Sequence, residues 1–174
     1  MDKKYYSGIG SRQTPLEVCK LFSEIASALE VNNYILRSGA ADGADSAFER
    51  GVNDPSNKEI FLPWLGFNNH PSNLLPCDGC AEIVSQIHPK WNSLSQGAKK
   101  LHSRNVKQVL GDNLSSPVEF VLCWTDGGKT VGGTATAIRL AEFLNIPVFN
   151  FGKYSEIETM KFRFDIFMES INDV

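Results

Sequence analysis

The sequence predicts an α/β protein with a Rossmann-like, doubly wound and mainly parallel sheet flanked by helices. Short apolar runs with strand character alternate along the chain with segments whose apolar residues recur at helical spacing. Two glycine-rich stretches, 38–45 and 130–136, each stand where an apolar strand gives way to a helix. Strands and helices that alternate in this way form parallel sheets, because each return to the next strand needs a crossover.

The first half of the chain supplies three predicted strands and two helices. The first strand is Lys4–Gly10. A helix follows it with a capping box, in which Thr14 is the N-cap, Pro15 the first helical residue and Glu17 the third. The remaining elements are a second strand, a helix and a third strand that Pro63 ends, at 34–37, 44–52 and 59–63.

The second half begins with the least regular part of the chain. Residues from about 64 to 92 contain several prolines and glycines, so we expect a long functional loop there. A strand at 118–124 is apolar on both faces and should lie inside the sheet. The other predicted elements are one or two helices, a further helix, a last strand and an amphipathic C-terminal helix, at 94–110, 137–144, 147–151 and 157–171.

Composition limits the class of protein. The 174 residues are 42% hydrophobic and 21% charged, which is typical of one globular domain over 1–174. No apolar stretch approaches the ~20 residues that a membrane span needs, and the N-terminus lacks the apolar segment of a signal peptide. Four irregularly spaced cysteines indicate reduced thiols rather than a disulfide framework. We therefore expect a cytoplasmic protein with no membrane partner.

The two glycine-rich stretches predict a site for a nucleotide. Turns without side-chain bulk let a phosphate approach backbone N–H groups at the positive end of a helix dipole. Two such turns suggest one ligand, bound where several strands end. The alternative is that the glycines serve turn geometry and the hydroxyls cap helices. The residues concerned are Ser38, Gly39, Gly43, Gly132, Gly133, Thr134 and Thr136.

Two arginines could approach the same ligand. Arg12 follows the first strand, and its guanidinium suits a phosphate, although a solvated surface position is almost as well supported. Arg104 lies beside Asn105 in a predicted helix, where the pair would face either the ligand or the solvent.

Four carboxylates stand near the inferred cleft. Asp45 and Glu49 share one face of a short helix and could perform acid–base chemistry or bind a ribose hydroxyl. Asp42 and Asp45 could equally complement the helix dipole. Asp126 is a turn residue by default, but it directly follows an apolar strand and is therefore the first choice for a catalytic carboxylate.

The irregular region contains a CxxC pair, Cys77 and Cys80, with His70 and His88 on either side. These residues could bind zinc or perform redox chemistry. Their spacing is loose for a compact metal site, so ordinary loop cysteines are the favoured interpretation, and we predict no metal and no cofactor. The aromatic residues of the same region could stack on a base as a lid or anchor the loop to the core: Trp64, Phe67 and Trp91.

Four motifs that occur in order along the chain carry a family resemblance. They are Gly-Ser-Arg-x-Thr-Pro at 10–15, Ser-Gly-x-x-x-Gly-x-Asp at 38–45, Ser-Arg-Asn at 103–105 and Gly-Gly-Thr-x-x-Ala at 132–137. The ordered set resembles the SLOG superfamily of Rossmann-like proteins, and within it the DNA-processing protein A (DprA) branch. The resemblance covers most of 4–151. It implies a nucleotide or nucleic-acid ligand at the carboxyl ends of the strands, and often a homodimer.

More distantly, the second turn resembles the Pro-Gly-Gly-x-Gly-Thr-x-x-Glu motif of the Lonely Guy type phosphoribohydrolases. In that alignment Ile138 takes the position of the catalytic glutamate. Hydrolysis of an N-glycosidic bond would then need Asp126, Asp45 or Glu49 in its place. Whether the chain is an enzyme therefore stays open.

We predict a protein that binds a nucleotide or a nucleotide-derived ligand. One alternative is a nucleoside 5′-monophosphate N-glycosidase, and a second is DprA-like binding of single-stranded DNA. The net charge of −3 disfavours DNA, although a short basic stripe is present at Lys99, Lys100, Arg104 and Lys107. The predicted ligand-binding residues are Gly10, Ser11, Arg12, Ser38, Gly39, Asp42, Gly43, Asp45, Arg104, Asn105, Thr125, Gly132, Gly133, Thr134 and Thr136.

Overall fold

The computed structural model describes residues 3–172 and contains a five-stranded sheet. Its strands are β1 (Lys4–Gly10), β2 (Tyr34–Ser38), β3 (Lys58–Ile60), β4 (Phe120–Trp124) and β5 (Val148–Asn150). Neighbouring strands are parallel throughout, and their order is β3-β2-β1-β4-β5. This arrangement confirms the predicted α/β fold with a Rossmann-like sheet.

The described residues form six helices, which cover both faces of the sheet. They are α1 (Leu16–Val31), α2 (Ala44–Gly51), α3 (Asp78–Ile87), α4 (Gln96–Leu110), α5 (Ala135–Phe143) and α6 (Ile157–Asn172). Apolar side chains of α1, α2 and α6 pack in one core, and those of α3, α4 and α5 pack in the other. Helices on both faces make the sheet doubly wound, as predicted. No helix within residues 3–172 is both long enough and apolar enough to cross a membrane.

The central strand, β1, contributes to both cores. Tyr6 is buried in the core of α1 and α2, where its ring centroid lies 6.3 Å from that of Phe48. Ile9 points to the opposite core, which also contains Val106 of α4. β4 lies beside β1 and has a strand on each side, as its two apolar faces predict.

The strand order creates a switch point between β1 and β4. From β1 the chain proceeds to β2 and β3 on one side, and it then returns to the other side for β4 and β5. A crevice opens at the carboxyl ends of the two strands because their crossovers leave in opposite directions. β1 ends at Gly10 and β4 at Trp124, and the N–H of Ser11 donates to the Trp124 carbonyl at 2.9 Å.

The capping box predicted for the first helix does not form. The N-cap is Pro15 rather than Thr14, and no side chain caps the helix. The Thr14 hydroxyl instead donates to the Ser11 carbonyl at 2.6 Å, which closes the turn after β1. Glu17 still lies in the first turn, where its charge complements the helix dipole. The capping pattern failed because the local turn at 11–14 supplied a competing acceptor for the threonine.

The region predicted as a long loop contains α3, so that prediction is wrong for residues 78–87. Pro76 precedes the helix and Pro89 follows it, so neither proline interrupts it. Cys80 and Val84, one helical turn apart, are buried in the core that α4 shares. The rest of the region is irregular, with short 3-10 turns at Phe67–Asn69 and Trp91–Ser93.

Candidate functional site

A cavity of about 550 Å³ opens at the switch point between β1 and β4. Its walls come from the turn after β1, from the start of α2, from one face of α4 and from the segment between β4 and α5. A volume of this size is typical of sites for small molecules and cofactors. The cavity is therefore the candidate functional site.

The α4 wall presents a polar face to the cavity. Arg104, Asn105 and Gln108 line it together with His102 and Leu101. The spacing from Leu101 to Arg104, Asn105 and Gln108 is three, four and seven residues, so these side chains share one face of the helix. This spacing is the signal by which Gln108, absent from the sequence-based set, could have been found.

Arg104 is buried, with 5% of its surface exposed, and its hydrogen bonds connect this wall to the neighbouring segments. Its Nη1 donates to the carbonyls of Gly39 and Phe61, and its Nε donates to Asn105 Oδ1 at 3.0 Å. The Asn105 amide in turn donates to the Gly133 carbonyl. One network thus links the first glycine-rich turn, α4 and the second glycine-rich turn across the cavity.

Gln108 carries a buried acceptor that the protein leaves unused. The side chain is 1% exposed, and its Oε1 has no hydrogen-bond partner among residues 3–172. A buried polar atom without a partner costs about 1–3 kcal/mol. This oxygen has almost no accessible surface, so a ligand in the cavity reaches it only if the Gln108 side chain rotates.

Asp45 is a buried carboxyl in the same cavity. Its Oδ1 accepts from the Gly10 N–H at 3.1 Å. Burial raises the pKa of Asp45 to about 6, although the nearby Arg104 charge and the N–H groups of Gly10, Ala41 and Gly39 act in the opposite direction. Within the described part of the chain, no basic side chain makes a salt bridge with it. The cavity therefore holds a carboxyl that changes charge only slightly below neutral pH.

His102 lines the cavity as a neutral imidazole. Burial lowers the pKa of His102 to about 4, and the charges of His88, Arg139 and Arg104 contribute to the same shift. Its Nδ1 lies 2.7 Å from the hydroxyl of Thr136. Thr136 is itself buried and does not line the cavity. This predicted ligand-binding hydroxyl instead positions His102, a residue that sequence reasoning did not single out.

The second glycine-rich turn faces the cavity directly. Gly132, Gly133 and Thr134 line it, just before α5 begins at Ala135. A Cβ atom built on Gly132 or Gly133 would meet no atom within 4 Å. No acceptor is seen within residues 3–172 for the backbone N–H of Gly133 or Thr134. These free donors lie at the positive end of the α5 dipole, where an anion is favoured.

The first glycine-rich turn is packed behind the cavity wall. Ser38 is fully buried, and its hydroxyl donates to the Gly8 carbonyl at 2.6 Å. A Cβ atom on Gly39 would overlap the Arg104 guanidinium, and one on Gly43 would lie 2.5 Å from the Ser11 carbonyl oxygen. Of the predicted residues in this turn only Asp45 lines the cavity; Ser38, Gly39, Asp42 and Gly43 do not.

The remaining predicted residues divide in the same way. Gly10, Ser11 and the exposed Arg12 line the cavity on the β1 side. Thr125 and Asp126 line it on the β4 side, and the Thr125 hydroxyl accepts from the amide of Asn150 at 2.6 Å.

Two positions from the catalytic predictions lie outside the cavity. Glu49 does not line it; its carboxylate lies 2.9 Å from Nε2 of His70 and 3.5 Å from Nζ of Lys58. Ile138, predicted to take the position of the phosphoribohydrolase glutamate, is buried in the apolar core. Counted along that motif from Gly132, the glutamate position is Arg139, so neither residue supplies a carboxylate. The cavity's carboxyls are therefore Asp45 and Asp126.

Two of the aromatic residues proposed as a lid, Phe67 and Trp91, pack in or against the core, and Trp64 is 39% exposed. Phe67 is buried, and the edge of Trp64 packs on its ring with centroids 5.3 Å apart. The guanidinium carbon of Arg104 lies 5.8 Å from the Phe67 centroid, so this ring supports the α4 wall from behind. Trp91 packs against the core of α3, α4 and α5, and neither tryptophan lines the cavity.

The basic stripe on α4 does not form an exposed surface. Arg104 and Lys107 are buried, and Lys107 Nζ lies 2.7 Å from the Asp112 carboxylate. Lys99 lies over the ring of Trp91, 5.3 Å from its centroid. The predicted stripe is thus divided between the interior and the surface, because the helix turns its Arg104 side toward the cavity.

Comparisons with known proteins bear on the fold. No family model matches the chain, and no curated protein matches it significantly. Among solved structures, the chain is similar to DNA processing protein A from Helicobacter pylori, described for its unique single-stranded DNA binding mode. The TM-score is 0.54 at 17% identity, and the alignment covers 84% of this chain but spans only 64% of that structure. The chain thus resembles DNA processing protein A in its fold.

Proposed function

We propose that the chain binds a nucleotide or a nucleotide-derived ligand in the cavity at the switch point. One observation carries the proposal: the second glycine-rich turn and the polar face of α4 line the same cavity at the carboxyl ends of β1 and β4. Ligands of open α/β sheets bind in this place because the two crossovers leave room there.

The phosphate end of the ligand belongs at the 132–134 turn. Backbone N–H groups of Gly133 and Thr134 point to no protein acceptor in the described structure, and the α5 dipole adds positive potential. Arg12 is exposed and also lines the cavity, and its guanidinium can pair with phosphate oxygens. This end of the cavity therefore offers charge and donors without a bulky side chain.

The other end of the ligand belongs against α4. Gln108 lines this end with its side-chain amide, Asp45 with a carboxyl and His102 with a neutral imidazole. Ile9 and Leu101 add apolar surface. A base or a sugar carries the hydroxyl and amino groups that would pair with these side chains. Backbone donors at one end and mixed polar and apolar surface at the other match the two parts of a nucleotide.

The experiment is an incubation of the purified protein with mixed ribo- and deoxyribonucleoside 5′-monophosphates. Liquid chromatography and mass spectrometry then measure the nucleotides retained by the protein and the products in solution. We expect intact nucleotide in the retained fraction. Free base in solution would instead indicate an N-glycosidase and would direct attention to Asp45 and Asp126. No retained nucleotide and no free base would contradict the proposed ligand class.

A matched pair of variants at Gly133 tests the place of binding. Gly133→Asp sets a carboxylate against the ligand phosphate, and we expect it to weaken binding by about ten-fold or more. Gly133→Ala adds no charge and only a methyl group, so it should weaken binding less than Gly133→Asp does. Both variants should unfold like the original protein. Equal affinity of the two variants would show that the ligand does not use this turn.

Single-stranded DNA is the second candidate, and the structural similarity to DNA processing protein A favours it. The net charge of −3 and the burial of Arg104 and Lys107 count against a long DNA groove. Retention of an oligonucleotide at low salt, with steep loss as salt rises, would support this candidate. A protein that holds mononucleotides but does not retain the oligonucleotide would exclude it.

A further inference from the structure

Two thiols stand together at the start of α3, outside the cavity. Cys77 immediately precedes the helix and is exposed, whereas Cys80 lies in its first turn and is buried. The two Sγ atoms are 3.0 Å apart, and the N–H of Cys77 points to the Cys80 sulfur at 3.4 Å. Neither residue lines the cavity, so the pair is independent of the proposed ligand.

The two thiols differ in exposure, so that one can react with an external reagent while the other is shielded from it. Cys77 is accessible to solvent and to reagents at the N-terminal end of α3. The pKa of the Cys80 thiol is raised to about 12, chiefly by burial and also by contact with the Cys77 thiol, while the Cys77 N–H and the Lys107 charge act in the opposite direction. An external reagent therefore reaches Cys77 first, and the buried Cys80 lies beside Cys77, where it can react in a second step.

A shared metal ion does not explain the pair. Within residues 3–172 no group of three or more potential ligands surrounds the two sulfurs. His70 is occupied by Glu49 at 2.9 Å, and the ring of His88 packs against His102 with centroids 4.5 Å apart. Zinc bound by proteins normally has three or four protein ligands, so two thiols alone do not form such a site.

We propose that Cys77 and Cys80 form a reversible redox pair that exchanges with low-molecular-weight disulfides such as oxidised glutathione. The Cys77 thiolate attacks one sulfur of the disulfide, forms a mixed disulfide and releases one thiolate. Cys80 then loses its proton to solvent and attacks the Cys77 sulfur, which releases the second thiol and closes a Cys77–Cys80 disulfide. The protein loses two electrons and two protons, and the oxidised glutathione gains them.

The test is incubation of the full chain with oxidised glutathione, followed by acid quenching, alkylation of free thiols and peptide mass spectrometry. We expect a linked Cys77–Cys80 product, two unmodified thiols at Cys19 and Cys123, and full reversal by dithiothreitol. Cys77→Ser should abolish the reaction, and Cys80→Ser should stop it at glutathione bound to Cys77. Cys80→Ala provides the same test if the serine variant does not fold.

The rate of alkylation provides a second readout that needs no variant. Cys77 should react about ten-fold or more faster than the three buried thiols. A glutathione adduct on Cys77 that never closes to a disulfide would overturn the proposal. So would a link that involves Cys19 or Cys123, or co-purified zinc that blocks both sulfurs. None of these outcomes depends on nucleotide binding, so the two proposals fail separately.

Discussion

The two glycine-rich turns look alike in the sequence but have opposite surroundings in the fold. In the first turn, Gly39 and Gly43 are pressed against Arg104 and against the backbone after β1. In the second, Gly132 and Gly133 face an open cavity. Glycine is needed at Gly43 by packing as well as by conformation, whereas at Gly133 its small size leaves room for a ligand.

This difference indicates that the two turns have different structural roles. The first turn positions the α4 wall of the cavity, because the Gly39 carbonyl accepts a hydrogen bond from Arg104 on that wall. The second turn presents free N–H groups to whatever enters. A glycine-rich strand-to-helix turn is therefore a binding element only where the space beside it is empty.

The largest expected effect is on stability. It separates the cost of steric overlap at a glycine position from the cost of backbone strain there. Gly43 and Gly132 both have positive φ, +79° and +71°, but only Gly43 is packed. Gly43→Ala combines backbone strain with overlap against the Ser11 and Arg12 carbonyls, so unfolding free energy should fall by about 3 kcal/mol or more. Gly132→Ala adds the strain alone and should cost about 1 kcal/mol. Urea denaturation measures both, and equal losses would contradict the comparison.

A second prediction concerns Asp45, the one predicted residue of the first turn that reaches the cavity. Its pKa is raised to about 6 in the folded protein, from 3.8 when exposed, so the native state binds the proton more tightly. Stability from this group is present below about pH 4 and is lost as pH rises through about 6, by up to about 3 kcal/mol.

Asp45→Asn isolates that contribution. His102 acts in the opposite sense over the same range, because its pKa is lowered to about 4, so only the difference between wild type and variant is diagnostic. Relative to the variant, the wild type should lose stability between pH 4 and 6 in chemical denaturation. A difference that is independent of pH would show that the carboxyl is solvated rather than buried.

A third, smaller effect tests the role of Ser38. Its hydroxyl donates to the Gly8 carbonyl inside the sheet, so Ser38→Ala should cost about 1 kcal/mol of unfolding free energy and leave nucleotide affinity unchanged. Thermal denaturation and a binding isotherm measure the two quantities. Loss of affinity without loss of stability would place the first turn in the binding site after all.

The smallest expected effect on stability is at Gly133. A Cβ atom there meets nothing within 4 Å, and Gly133 is not among the glycines with positive φ. Gly133→Ala should therefore change unfolding free energy by less than about 0.5 kcal/mol. A larger loss in urea denaturation would mean that this turn is packed in solution as tightly as the first.

Local patterns predicted most of the elements, because the apolar periodicity that marks a strand or a helix is visible over a few neighbouring residues. Lys4–Gly10 and the helix later seen as Ile157–Asn172 follow from apolar periodicity alone. The helix Asp78–Ile87 was missed because it is short and lies between Pro76 and Pro89. The Thr14 cap failed because the carbonyl of Ser11, three residues earlier in the same turn, offered its hydroxyl another acceptor.

The site was predicted only in part. Gly132, Gly133 and Arg12 line the cavity as expected, and the Arg104–Asn105 pair proves to face it rather than the solvent. Gln108 and His102 were missed because nothing in the nearby residues marks a polar side chain as buried. Whether dimerisation, a cytoplasmic location or turnover of a ligand accompanies this site stays a prediction.

The amino-acid sequence was enough to predict the alternation of strands and helices, the parallel sheet and the positions of the glycine-rich turns. Each of these features depends on short-range periodicity and turn propensity. Which turn faces the open cavity was decided by tertiary packing. Arg104 lies 65 positions from Gly39 and Asn105 lies 28 positions from Gly133, and only the folded helix α4 brings each pair together. Contacts between residues so distant in the chain leave no local signature, because burial is a property of the assembled core.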